Sequence, residues 1–413
     1  MKVAVFHPGT QHSRQTALAL QELERLAFLA TGLFAYDGDR MSALLGVLPK
    51  RLAVKLQDER SRFAFSALDP AFVRTFPAYE LPERLAMRAS SRSLAHRLDR
   101  WGNAALGRRV AELAPREGPF ALWGYNGSSA TAFADPRCEG VPKVLDRTLA
   151  DGRYWNMELA RIRETHAEWL DGSEQEWSGA QIAQDEREYT GATHIVCGSE
   201  FAAETVRRHA LTYGTAAKVS VLPYCFDEAL FGGAPAPTHV PPGKPVRFLF
   251  VGQVGVRKGI HHLLAAIDRI LPDQATLTVA GPVAAPGKAL SAYEDRVDFV
   301  GPVARHAMPL LMQSHHVLVL PSHFEGSAVV LPEAMASGLA LIHTEASGLG
   351  ASAESGFVLK SPSAEGVEAA MVRLIADRDL LRTMRTAALR ESTARNFAAY
   401  RKHVAALLER LAA

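Results

Sequence analysis

Residues 317–338 read Val-Leu-Val-Leu-Pro-Ser-His-Phe-Glu-Gly-Ser-Ala-Val-Val-Leu-Pro-Glu-Ala-Met-Ala-Ser-Gly. A strand over Val317–Leu320 runs into a loop carrying Glu325 and Gly326, and a helix follows around Glu333–Ser337. Glu333 stands eight residues after Glu325, which puts one carboxylate on the loop and the other inside the helix. A helix start offers unpaired amides and a positive dipole end, here near Ser327, Ala328 and Val329, and such an end attracts phosphate. A carboxylate deeper in the same helix suits ribose hydroxyls. Taken alone, the two acids read more simply as a turn residue and a solvated helix face.

Upstream, Phe248-Leu-Phe-Val-Gly-Gln-Val-Gly-Val-Arg-Lys-Gly-Ile260 has the same strand–turn–helix form. Lys258 places a point charge where a diphosphate would sit, although a basic pair capping a surface helix has the same composition. The third glycine of a dinucleotide fingerprint is missing, which argues against NAD. Strands are predicted over Val246–Val251, Ala275–Ala280, Val297–Val300, Val317–Leu320 and Leu339–His343, with helices over Ile260–Ile270 and through most of 364–413. Between Gly232 and Pro245 five prolines exclude a regular element and mark a linker. Before it, Lys2–Phe6 is a strand ending at His7-Pro8-Gly9, and the spacing of apolar residues predicts a helix over Thr16–Leu33. Further strands are predicted around Phe120–Trp123, Val141–Leu145 and His194–Cys197, the last followed by a helix capped by Ser199. The alternation predicts two doubly wound α/β domains: one over 1–232, a linker over 233–245, a second domain over 246–390, and a final helix over 391–413.

The bulk numbers narrow the class. The 413 residues carry 46 Lys and Arg against 44 Asp and Glu, a net charge of +2, which excludes a general nucleic-acid binder. Three dispersed cysteines form neither a disulfide framework nor a metal knuckle and point to a reducing compartment. No apolar run is long enough to span a bilayer, and the first residues do not read as a signal peptide, so a cytoplasmic protein is expected.

Together the two stretches resemble the retaining glycosyltransferases of family 4. The resemblance rests on the E-x7-E element from Glu325 to Glu333, on the strand–GxxxxxKG–helix element ending in Lys258-Gly259, and on Gly356-Phe-Val-Leu near the end. It covers the C-terminal half and is looser before the linker. It implies the GT-B fold, with two Rossmann-like domains facing a cleft, the first on the acceptor side and the second on the nucleotide-sugar donor side, and the last helix returning to the N-terminal domain. It also implies sugar transfer from a nucleoside diphosphate sugar to a hydroxyl acceptor, with no cofactor and no metal. Residue by residue, it assigns Lys258 to the donor diphosphate, Glu333 to the ribose and Glu325 to the transferred sugar. Gly9, Gly252, Gln253, Arg257, Gly326, Ser327, Ala328 and Val329 complete the donor site. The family's arginine beside the turn glycine is replaced by Gln253, with Arg257 as the nearby charge. Its histidine after the mid-domain strand is replaced by Asp146-Arg147, which would then contact the sugar.

Arg84, Arg88 and Arg92, spaced for one helix face, suggest contact with anionic lipid at the inner face of the membrane, or a solvated surface. They direct the acceptor reading toward a saccharide or lipid-linked acceptor in envelope or exopolysaccharide synthesis. The pairs His261-His262 and His315-His316 read as structural rather than as metal ligands, because adjacent residues diverge. Trp155, Trp169 and Trp177 read as packing or as an acceptor pocket. Other readings are another GT-B enzyme, a phosphorylase or an epimerase, or a non-catalytic nucleotide-sugar-binding subunit.

Overall fold

In the computed structural model the described residues are 1–9, 12–36, 63, 65–88, 92–114, 120–172 and 174–412. The first sheet has seven parallel strands: β1 (Lys2–Phe6), β2 (Leu26–Thr31), β3 (Val73–Thr75), β4 (Phe120–Tyr125), β5 (Lys143–Arg147), β6 (His194–Cys197) and β7 (Val219–Val221). Their order is β3-β2-β1-β4-β5-β6-β7. The second sheet has six: β8 (Val246–Val251), β9 (Ala275–Ala280), β10 (Asp298–Gly301), β11 (Val317–Leu320), β12 (Ala340–Thr344) and β13 (Gly356–Leu359), in the order β10-β9-β8-β11-β12-β13. Both are doubly wound, and each reverses direction beside its first strand, between β1 and β4 and between β8 and β11. Such reversals open a crevice at the carboxyl ends of the strands.

Central strands are apolar throughout because helices cover both faces. Every residue of β4 and β11 is buried. Within the N-terminal sheet Phe6, Leu122 and Ile195 face one core, while Val5, Trp123 and Val196 face another. The second core also receives the final helix, Phe397–Ala412, through Tyr400, Val404 and Leu407. Thr16 Oγ1 lies 2.7 Å from both the Tyr125 and Tyr400 hydroxyls, so two buried hydrogen bonds register that helix on the N-terminal sheet. The expected return of the chain is thus present.

One predicted element is corrected. The helix expected over Thr16–Leu33 ends at Glu22, and Leu26–Thr31 is strand β2. Glu24 turns the chain with φ 56°, and the apolar run beyond it is buried on both faces of a parallel sheet. Its continuous apolarity imitates a helix stripe. The segment from Gly232 to Pro245 holds neither helix nor strand. It is pinned by Arg385, whose guanidinium donates to the carbonyls of Thr238 and Gly338, both at 2.9 Å. Cys138, Cys197 and Cys225 are buried free thiols. Among the described residues no helix is long and apolar enough to cross a membrane.

Candidate donor site between the sheets

The reversal between β8 and β11 brings together the two stretches singled out in the sequence. After β8 the chain makes a short turn of helix over Val256–Lys258, then passes Gly259 at φ 71° into the helix Ile260–Asp268. A Cβ at Gly259 would lie 1.9 Å from the Pro321 carbonyl oxygen, so only glycine lets the loop after β11 pass this close. That approach sets Glu325 beside the basic pair. Lys258 Nζ lies 2.7 Å and an Arg257 nitrogen 2.6 Å from the same Glu325 oxygen. Lys258 runs along Gly252, its Cε 3.5 Å from where a Cβ there would stand. Gln253 is half-buried on the same turn.

Glu325 is only 9% exposed. Burial alone would raise its carboxyl, but Lys258 and then Arg257 outweigh burial and hold it below the usual range. Burial lowers the Lys258 ammonium, and Glu325 acts in the opposite direction. Two residues that no motif marks join the group. Glu174 lies 3.6 Å from Arg257, its carboxyl raised by burial, and Trp155 stacks beneath the same guanidinium at 5.7 Å. Trp155 also meets Phe324 edge-on at 4.6 Å. Trp177 lies 6.3 Å from Trp155 and under Arg147, and Trp169 packs against His261.

The next residues of the loop meet the other half of the chain. A Cβ at Gly326 would lie 1.8 Å from the Thr148 carbonyl oxygen, and the Ser199 hydroxyl donates to the Gly326 carbonyl. The donor-side loop therefore rests directly on the ends of β5 and β6. Ser327 is half-buried, and the Ala328 amide donates to the Ser347 carbonyl at 3.0 Å, so that amide already has an internal partner. Val329 precedes the helix Val330–Ala336, which carries Glu333. Glu333 is 4% exposed and pairs with Arg305 at 2.6 Å. Burial raises its carboxyl, while Arg305 opposes the rise. Arg305 is a further residue outside the sequence motifs. A cavity of 640 Å³ opens between the halves nearby, lined by Tyr154, Phe201, His209, His343 and Arg395 among others.

The remaining expected residues lie at the ends of the N-terminal strands. Gly9 follows β1, its amide donating to His7 Nδ1 at 3.0 Å. Asp146 and Arg147 end β5 with no exposed surface. Asp146 accepts from the Tyr224 hydroxyl at 2.8 Å and from the Trp123 indole at 3.4 Å, and burial pushes its carboxyl up to about 7. Arg147 donates to Asp185 at 2.6 Å and to the Leu149 and Ala150 carbonyls. The polar atoms of both residues are thus engaged within the N-terminal half. Arg84 pairs with Glu80 and stacks over Phe63 at 4.7 Å. The side chains of Arg88 and Arg92 lie outside the described residues. The described helical segments there are Leu81–Arg88 and Arg92–Leu113.

The comparisons agree with this architecture. Residues 245–377 match the family described as glycosyl transferases group 1. Over 162 residues the chain is 30% identical to the glycogen synthase of Mycobacterium tuberculosis, a match covering 37% of this chain and 39% of that protein. The chain thus spans about two fifths of the length of that curated relative. Among solved structures, the sucrose-phosphate synthase of Thermosynechococcus elongatus superposes with a TM-score of 0.67 at 16% identity, covering 100% of this chain and 99% of that one. Anabaena HepE in complex with UDP superposes with a TM-score of 0.60 at 15% identity, over 99% and 100%. These likenesses establish the fold: two Rossmann-like domains in the GT-B arrangement.

Proposed function

We propose that this chain is a retaining, metal-independent glycosyltransferase of the family 4 type, moving a sugar from a nucleoside diphosphate sugar to a hydroxyl acceptor. The observation that carries the reading is the buried contact of Lys258 and Arg257 with Glu325 at the strand reversal of the C-terminal sheet. A diphosphate arriving there competes with Glu325 for the two cations, and the released carboxylate becomes an acceptor for hydroxyls of the transferred sugar. Negative charge that develops on the leaving diphosphate is met by Lys258 and Arg257, fixed before the reaction begins. The leaving phosphate oxygen takes the acceptor's proton as the acceptor attacks from the same face, which retains configuration. Glu333 binds the ribose, with Arg305 orienting its carboxylate. The two halves, divided as 1–232 and 246–390 with the last helix crossing back, exclude water from the donor.

The group 1 match and the UDP bound by HepE support a nucleoside diphosphate as donor. Thermal stabilisation by a panel of UDP, GDP, ADP and dTDP tests the reading and identifies the base. A selective shift that Lys258→Ala abolishes supports it, and no shift with any of them refutes it. The interior commitments of Asp146 and Arg147, where the family has a histidine, favour a second reading in which the chain binds donor without transferring it. Sugar release or transfer from the stabilising donor decides between the two.

We further propose a cytoplasmic location with peripheral contact to anionic membrane, serving a lipid-linked or polysaccharide acceptor of the cell envelope. Leu85 (60% exposed), Met87 (48%), Leu94 (47%) and Trp101 (48%) present apolar surface beside the exposed Arg97 and Arg100. Co-flotation with anionic but not neutral vesicles checks this, and equal absence from both contradicts it.

A further inference from the structure

Four histidines from three parts of the chain meet behind the Lys258–Glu325 pair. His261 and His262 open the helix Ile260–Asp268, His166 ends the helix Gly152–Thr165, and His323 precedes Glu325 by two residues. The sequence reading set the adjacent pair aside because neighbouring side chains diverge. In the structure the rings of His261 and His262 lie 3.9 Å apart, and that of His166 lies 4.3 Å from the first and 5.2 Å from the second. We propose that His166, His261 and His262 bind a divalent transition-metal ion of the zinc class, with His323 holding the His261 ring in the liganding orientation.

Three observations carry this. One nitrogen from each of the three rings lies within 4.8 Å of the other two. Small side-chain rotations close that to the roughly 3.3 Å between tetrahedral ligands that Zn–N bonds of about 2.0–2.1 Å require. His261 Nδ1 and His262 Nε2 are buried with no hydrogen-bond partner, a condition that is costly unless something else satisfies the nitrogens. His261 Nε2 lies 3.4 Å from His323 Nε2. If His261 donates there, its Nδ1 is left as a lone pair, as a liganding imidazole needs.

An all-imidazole set favours zinc, nickel or copper over magnesium or calcium, which prefer oxygen. The site is thus separate in chemistry from any hard cation on a diphosphate, and it does not depend on the proposed transfer reaction. Its consequence is mechanical. His166 belongs to the N-terminal half and the other two ligands to the turn that carries Lys258, while the His323 amide donates to the Arg257 carbonyl at 2.9 Å. A bound ion would clamp the end of helix 152–165 onto the donor loop.

The test uses tag-free full-length protein dialysed against metal-free buffer and titrated with ZnCl2 by calorimetry, with the melting temperature recorded alongside. The proposal expects one zinc per chain, a raised melting temperature, and Co2+ uptake with the visible absorption of tetrahedral coordination. His166→Ala, at a partly exposed helix end, should weaken zinc binding at least tenfold and remove the Co2+ spectrum. His323→Ala should weaken it less, and the exposed control His239→Ala should leave it unchanged. Absence of stoichiometric uptake by the unaltered protein would overturn the proposal, as would uptake that His166→Ala leaves intact.

Discussion

The ammonium of Lys258 lies 2.7 Å from a carboxylate oxygen of Glu325, and the two residues reach each other from the ends of β8 and β11, the strands flanking the reversal of the C-terminal sheet. Neither group is free to drift: Gly259 admits the loop from below and Gly326 seats it on Thr148 from above. A charge held this way costs little reorganisation when a diphosphate replaces the carboxylate. Lys258→Ala is therefore expected to lower kcat/KM by at least about 10²–10³-fold, the scale of losing one preorganised electrostatic contact. Steady-state kinetics with the stabilising donor measure it, with circular dichroism confirming the fold.

Gly259→Ala should act on folding more than on chemistry. A Cβ there meets the Pro321 carbonyl at 1.9 Å while the backbone sits at φ 71°. The backbone term alone costs about 1–2 kcal/mol, and displacing the loop adds to it. Urea unfolding is expected to show the loss, together with weaker nucleotide binding because Lys258, adjoining Gly259, moves with the turn.

How much of this was legible follows from how the residues are used. Val317–Leu320 and Ala275–Ala280 were bounded correctly because parallel strands covered on both faces are short apolar runs. β2 was absorbed into a helix for the same reason: its apolar run follows an amphipathic helix after the short break around Glu24, and periodicity does not separate them. β3, of three residues with Arg74 and Thr75 exposed, left no pattern to read. At the site, Lys258, Arg257 and Glu325 were legible because they stand just after strand ends. Glu174 and Arg305 were not, and Trp155 read only as packing or an acceptor pocket, because their places come from packing between distant segments. The divergence of adjacent histidines likewise hid the cluster, since His166 arrives from the other half of the chain.

Asp146 gives the chain a pH signature. Its carboxyl is raised by burial from the ordinary 3.8 to about 7. Between those values the unfolded chain has lost a proton that the folded chain keeps, so this group's contribution to stability falls as pH rises from about 4 to 7 and is level above. The full effect is about 4 kcal/mol. Asp146→Asn should remove that slope, so the stability of wild type relative to the variant should decline across this window. Chemical denaturation at a series of pH values reads it.

Glu333 and Arg305 should be coupled, but modestly. The carboxylate is buried while Arg305 is 56% exposed at its side chain, so water screens the pair. A double-mutant cycle with Glu333→Gln and Arg305→Ala is expected to give about 1 kcal/mol of interaction in stability. Arg305→Ala should also weaken nucleotide binding, since the remaining carboxylate loses the group that orients it.

On the proposed reading, Lys258 and Glu325 form a donor site for a nucleoside diphosphate sugar that needs no divalent ion on the diphosphate. Calorimetric titration of the stabilising nucleoside diphosphate, in buffer without magnesium or manganese and again with each added, tests it most directly. One site per chain, an affinity unchanged by either ion, and loss of binding in Lys258→Ala are expected. Binding that requires magnesium or manganese, or that survives Lys258→Ala intact, would contradict it.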